Sequence, residues 1–427
     1  MVDDDNAVRK VAWSELFPWL ILFRCFSRAI GFRVLMLSTI GVTLMLCGWS
    51  LLASCFPKTE PLVTWETAAS MVPNQPQLGL LASPGAAEAS LRPAVVPFVS
   101  TWQQLSQPAA DAFSLKTTAG GLVYSLLAGL WALAVWAVCG GAVTRTVAVD
   151  LACGERVPWG KLVPFVATRF RAYFAAPLIP LAVVAAVTAG SALFGLLLRA
   201  DWSAVVAGLL WPCLLLAWAA MTLLLAGLLF GWPLMFPTIS VEGMDSFDAL
   251  SRSNNYTFHR PLHYLFYALV AALLGTLGWW LVSNVAAAVI YLPFWAASWG
   301  GGEPRIAAII QHAQANEPSI LTVLNAGVAG PAQTLPLSGA GKLGAGIIWF
   351  WVLCVKLVAL GFLYSYFWTA STAIYYLLRR DVDATEMDEV YLEDDKGEAP
   401  QGLPPLKTDA TGIPVVSGEV GAAEMEE

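Results

Sequence analysis

The sequence predicts an all-α integral membrane protein with six transmembrane helices, cytoplasmic interfacial helices and parallel hairpin repeats. Three observations lead there. Of 427 residues, 58% are hydrophobic and only 12% charged, with a mean hydropathy of +0.65, more apolar surface than one soluble core would bury. The chain holds 19 tryptophans, and indole suits the headgroup boundary because its apolar ring and single N–H donor are both satisfied there. Long charge-poor runs recur, separated by stretches that carry the basic residues.

Taken in order, residues 11–32 mix apolar and basic side chains around Pro18 and read as an interfacial helix, with Arg24, Arg28 and Arg33 facing headgroups. Together with Asp3, Asp4 and Asp5 they make a cytoplasmic N-terminal segment, 1–33, in which no cleavable signal peptide is visible. The membrane domain covers 34–380. Val34 to Phe56 runs without a charge and crosses about 30 Å of hydrocarbon at about 1.5 Å per residue, giving the first span.

Residues 57–118, rich in Pro, Ala, Ser, Gln and Thr, lack a sustained period and read as a partly ordered external loop. A short helix near 97–113 would lean on the membrane through Phe98, Trp102 and Phe113, although loop packing explains these residues equally well. The second span is 120–143, whose glycines and alanines permit close approach to a neighbour. The third is 174–198, with Pro177 and Pro180 near its start, and the fourth is 204–234, where Trp211-Pro212 should kink the helix. A polar stretch at 237–261 precedes the fifth span, 262–292. A second external loop, 294–342, contains a short helix around 305–315, and the sixth span lies within 343–378.

The tail, 381–427, holds 14 acidic and 2 basic residues. Its net −12, against −7 for the whole chain, leaves +5 on residues 1–380. With too little apolar content to fold alone, it reads as a disordered acidic cytoplasmic tail and a docking segment for a protein partner. Fourteen basic residues from Arg9 to Arg380 flank the spans on the N-terminal side, and six from Lys58 to Lys342 flank them on the other. The positive-inside rule therefore puts both termini in the cytoplasm. The expected location is the bacterial cytoplasmic (inner) membrane, with membrane lipids as partners. Anionic lipid accounts for the flanking basic residues, and nucleic acid is not indicated.

Trp13-x-x-Leu16, Trp159-x-x-Leu162 and Phe247-x-x-Leu250 each precede basic residues and then a span. They read as three copies of an interfacial wedge plus span, with chance as the rival because aromatic-x-x-Leu is common in amphipathic helices. In the third copy Asp245 or Ser246 caps the helix, Asp248 and Arg252 pair at i, i+4, and Phe247 and Leu250 dip into the interface. Glu242, Gly243, Ala249, Leu250 and Ser253 give the pattern E-G-x-x-x-x-x-A-L-x-x-S. Through these residues the stretch resembles poorly characterised bacterial multi-pass proteins related to the membrane domain of glycerophosphodiester phosphodiesterases. The resemblance implies a helical membrane module and not the hydrolase, whose soluble domain with its metal-binding carboxylates and histidines is not in this sequence.

Candidate chemistry is sparse. Seven cysteines, odd in number and without C-x-x-C, indicate neither a disulfide framework nor a zinc site. His259 and His263 stand four apart, but Pro261 separates them and no third ligand follows, so a structural role is preferred and neither metal nor cofactor is expected. Glu242, Asp245 and Asp248 could hold a cation or a basic partner, yet capping and helix-dipole compensation explain them more simply. Lys356 is the sharpest single residue, because an ionisable group inside a span marks a functional site by default. It sits near the midplane if the inner aromatic belt is 364–368. If that belt is Tyr375-Tyr376, Lys356 lies about 9 Å inside the outer belt and can snorkel. The lack of Asp or Glu in the spans favours the second placement. Asn284 is the one strongly polar residue of the fifth span. No Walker, G-x-G-x-x-G, G-x-S-x-G or H-E-x-x-H motif occurs. The expectation is a non-enzymatic protein organising lipid or protein partners. The alternative is a transporter or permease subunit, drawn from the hairpins, the Pro-interrupted spans, Asn284 and Lys356. An enzyme acting on lipid phosphodiesters rests on the resemblance alone.

Overall fold

The computed structural model describes residues 17–57, 59, 62–74, 96–114, 118–315 and 337–392, and among them there are helices and no strands. After a 3-10 turn at Pro18–Leu20 come α1 (Ile21–Ala29), α2 (Phe32–Cys55), α3 (Trp65–Ser70), α4 (Pro97–Ala112), α5 (Ala119–Ala152) and α6 (Trp159–Phe194). They are followed by α7 (Asp201–Glu242), α8 (Ser246–His259), α9 (Pro261–Gly301), α10 (Glu303–Ala315) and α11 (Gly339–Asp383). Six of these, α2, α5, α6, α7, α9 and α11, are long and apolar enough to cross a membrane. The protein is thus a multi-pass helical membrane protein. Residues 390–427 form a separate unit, of which 390–392 are described and carry no regular structure.

Boundaries follow local chemistry. The Thr118 side chain accepts from the Gly121 amide at 3.1 Å and starts α5. Gly243, at φ 66°, ends α7 in the left-handed conformation that costs glycine least. Asp245 then caps α8, its Oδ1 accepting from the Phe247 and Asp248 amides at 2.9 and 3.0 Å. Pro261, without an amide hydrogen, opens α9 at its first position.

The core is built around α11, whose residues 359–378 are all buried. Trp136 of α5 stacks on Tyr364 at 4.8 Å, and Phe236 of α7 meets Trp368 at 4.5 Å. Glycine makes one of these approaches close: a Cβ on Gly140 would lie 3.1 Å from the Trp368 ring. Arg28, Arg145, Arg169, Arg252 and Arg379 gather at the end of the bundle where α5, α7 and α11 finish, called here the basic end. The other is the loop end.

Several expectations change. α1 does not lie free on a membrane surface: Leu22, Cys25 and Ala29 are buried, Ser365 of α11 donates to the Ala29 carbonyl, and Phe26 meets Phe362 at 5.9 Å. Arg28 pairs with Asp150 at 2.7 Å and Arg33 donates to the Val157 carbonyl, so protein groups replace the expected headgroups there, while Arg24 stays exposed. The second wedge has no helix of its own, because α6 runs unbroken from Trp159 through the third span. α7 is one helix from Asp201 to Glu242 with Pro212, the site of the expected kink, inside it. The short helix expected at 305–315 is present as α10.

The largest change is α4, expected in an external loop. Phe98 is buried against Phe367 at 5.3 Å, the Trp102 indole donates to the Leu229 carbonyl at 3.1 Å, and the Tyr364 hydroxyl donates to Gln104 at 2.6 Å. Phe367 and Leu229 lie about 18 and 20 Å along their helices from Arg379 and Glu242, so α4 is inserted among the spans. Of its polar side chains, Gln104 accepts from Tyr364 of α11, while the Ser100 and Ser106 hydroxyls donate to carbonyls of α4 itself. The first wedge at Trp13 to Leu16, the loop segments 75–95 and 316–336, and the tail from 393 lie outside the described residues.

Candidate functional site

At the basic end the C-terminus of α7 collects cations. Its last carbonyls carry partial negative charge and face Arg145, which donates to the Ser240 carbonyl at 2.8 Å, and Arg169, which donates to the Gly243 carbonyl at 3.1 Å. Both guanidinium groups stack on Phe165, at 4.1 and 4.4 Å. Glu242 adds a full charge to the same terminus. Its carboxylate lies 2.6 Å from Arg252 and 3.3 Å from Arg379, and it accepts from the Tyr375 hydroxyl. Nearby, Tyr256 donates to Asp383, and Tyr267 donates to Asp381 at 2.8 Å. Burial first, then the Asp383 hydrogen bond and the Glu242 charge, push the Tyr256 hydroxyl well above its ordinary value, so it remains a donor. These contacts fasten α7, α8, α9 and α11 to one another.

Of the residues singled out from the sequence, the structure brings Glu242 and Arg252 together and separates the rest. Arg252 turns to Glu242 and not to Asp248, which is exposed on the first turn of α8. Asn284 is buried on α9, with its amide donating to the Trp280 carbonyl one turn back at 2.7 Å. Lys356 is fully buried, and its ammonium reaches back along α11 toward the loop end, 5.3 Å from the centre of the Trp349 ring. His259 donates from Nδ1 to the Asn255 carbonyl at 3.0 Å, while His263 sits edge-on to Tyr267 at 6.3 Å. Among the described residues no group of three or more His, Cys, Asp or Glu side chains is placed to hold a metal.

The site that sequence reasoning missed is a cavity of about 630 Å³ walled by α4, α5, α6 and α7 and floored by α11. Its deep end is aromatic, formed by Trp136, Trp232, Phe236 and Trp368. Leu105 and Pro108 of α4, with Phe113 just past its end, form one wall, Pro177 to Thr188 another, and Trp218 stands at the loop end. The two hydroxyls in the lining turn away from the space: Ser106 donates to the Trp102 carbonyl and Thr188 to the Val184 carbonyl, each at 2.8 Å. The indole nitrogens of Trp232 and Trp368 have no acceptor and are buried within the wall. The cavity thus offers a ligand apolar surface and little else, with a volume inside the roughly 300–1,000 Å³ of small-molecule sites. Helix α4 was the signal: Phe98, Trp102 and Leu105 recur at helical spacing, and Gly129 and Ala132 leave room opposite.

Comparison with protein-family models, with curated proteins and with solved structures returned no match.

Proposed function

We propose that the protein is a non-enzymatic lipid-organising protein of the bacterial cytoplasmic membrane, which takes apolar membrane ligands into the cavity beside α4. The observation that carries this reading is the chemistry of the lining. A permeating polar solute needs hydrogen-bonding groups along its way, whereas Ser106 and Thr188 spend theirs within their own helices. The rim of the basic end supports contact with anionic headgroups: Phe23, Trp159, Phe247 and Phe258 are exposed there alongside Arg24, Lys161 and Arg260. By the positive-inside rule that end and both termini face the cytoplasm.

Native mass spectrometry of the full-length protein after delipidating washes tests the proposal. About one lipid per chain should survive on the wild type, and Ala132→Trp, which fills the cavity, should release it. Equal retention by the two forms, or none by the wild type, defeats the reading.

A further inference from the structure

We infer that the cavity is a slot for a single linear hydrocarbon chain of a membrane lipid, methyl end at the aromatic floor and headgroup at the loop end. This deepens the lipid reading above and rests on it. Shape is the first argument. The lining runs about 16 Å along α6 from Pro177 to Thr188 and about 27 Å along α7 from Trp218 to Phe236, so the space is drawn out along the helices. A long narrow space fits an extended chain and fits a compact polycyclic molecule badly.

Polarity sets the direction. The floor is made of Trp136, Trp232, Phe236 and Trp368 rings, an aromatic end suited to a terminal methyl. Toward the loop end the lining reaches Thr188 and Trp218, whose polar groups are bonded to Val184 and Ser191, and Phe113, which precedes Ser114 and lies two residues after Asp111. A headgroup left there meets Asp111 and Ser114 just beyond the lining, whereas at the floor it would be desolvated without compensation.

Helix α4 explains how such a slot persists. Its inner half is pinned by the Trp102 to Leu229 and Tyr364 to Gln104 hydrogen bonds. Its outer half presents Pro108, Ala109 and Phe113 to the space, so the helix acts as a fixed side wall held off α7.

The test uses full-length protein in nanodiscs with two photoreactive phospholipids, one carrying a diazirine near the acyl methyl and one beside the headgroup. The terminal probe should crosslink to the peptides holding Trp136, Phe236 or Trp368, and the head-proximal probe to those holding Phe113, Thr188 or Trp218. Val184→Trp should abolish floor crosslinks, and Leu216→Trp, on an exposed face of α7, should leave them. Terminal-probe crosslinks confined to exposed positions such as Leu209 and Leu216, while lipid still co-purifies, overturn the slot and leave the lipid reading standing. A reversed pattern overturns the orientation and with it the inference. Absence of retained lipid in the mass spectra removes both. Because the crosslink map is read on the wild type, a misfolded variant does not blunt it.

Discussion

Glu242 closes α7 with a negative charge where the helix dipole least favours one, and two arginines offset it. The carboxylate side chain is only 6% exposed, so its removal leaves Arg252 and Arg379 facing each other with nothing between. Breaking a buried pair costs about 3–5 kcal/mol, and Arg252, 39% exposed, recovers some of that from water. Glu242→Ala should therefore lose about 3 kcal/mol, read as a lowered unfolding midpoint in detergent. Glu242→Gln, which keeps an acceptor for Tyr375, should lose less. A Glu242→Ala protein that melts like the wild type would reduce the cluster to an exposed ion pair. The sequence made Glu242 and Arg252 visible but gave Arg252 the wrong partner, since the i, i+4 rule points to Asp248. The buried carboxylate needs a cation more than the exposed one does, and tertiary approach decides. Lys356 calls for the opposite expectation. Its ammonium over Trp349 contributes up to about 2 kcal/mol, while a buried charge carries a desolvation penalty that its removal relieves. Lys356→Met should stay within about 1 kcal/mol of wild type and keep its lipid. Lost solute uptake in that variant, with lipid retained, would restore the transporter alternative.

At the scale of elements the six long helices were legible because an apolar run of that length with at most one charge is accommodated by a bilayer and by little else. Their ends were less so. The second span continues nine residues past its expected limit, to Ala152, because Thr144, Arg145 and Thr146 are buried against protein and hydropathy alone cannot see that shelter. Helix α4 was misplaced for the same reason. Gln104 looks like a loop residue until Tyr364 of α11 supplies a partner. Cysteine scanning checks its insertion in a background with the exposed native cysteines replaced by serine. Thr101→Cys, at a buried position, should react with a maleimide about tenfold more slowly than Ala110→Cys, at an exposed one on the same helix. Equal rates would return α4 to the surface loop that composition suggested.

For the whole molecule, the uneven placement of basic residues becomes a physical polarity: one end of the bundle holds the arginine clusters and the opposite end holds the long connections. Two native cysteines report on it. Cys55 is exposed at the loop end of α2, and Cys153 is exposed just beyond α5 at the basic end. Cys47 and Cys213 are exposed too, but within spans, where lipid shields them. With the basic end in the cytoplasm, a membrane-impermeant maleimide should label Cys55 in intact spheroplasts and reach Cys153 only after permeabilisation. The thiolate is the reacting form, and burial followed by the Glu155 and Asp388 carboxylates raises the Cys153 pKa above its ordinary value. Little thiolate is present near neutral pH, so labelling of Cys153 should be slow there and climb about tenfold per pH unit until the pH passes the raised pKa. Performing the permeabilised arm at alkaline pH separates slow chemistry from lack of access. Labelling of Cys153 in sealed spheroplasts, with Cys55 protected, would invert the orientation and move the headgroup end of the proposed lipid slot from the outer leaflet to the inner one.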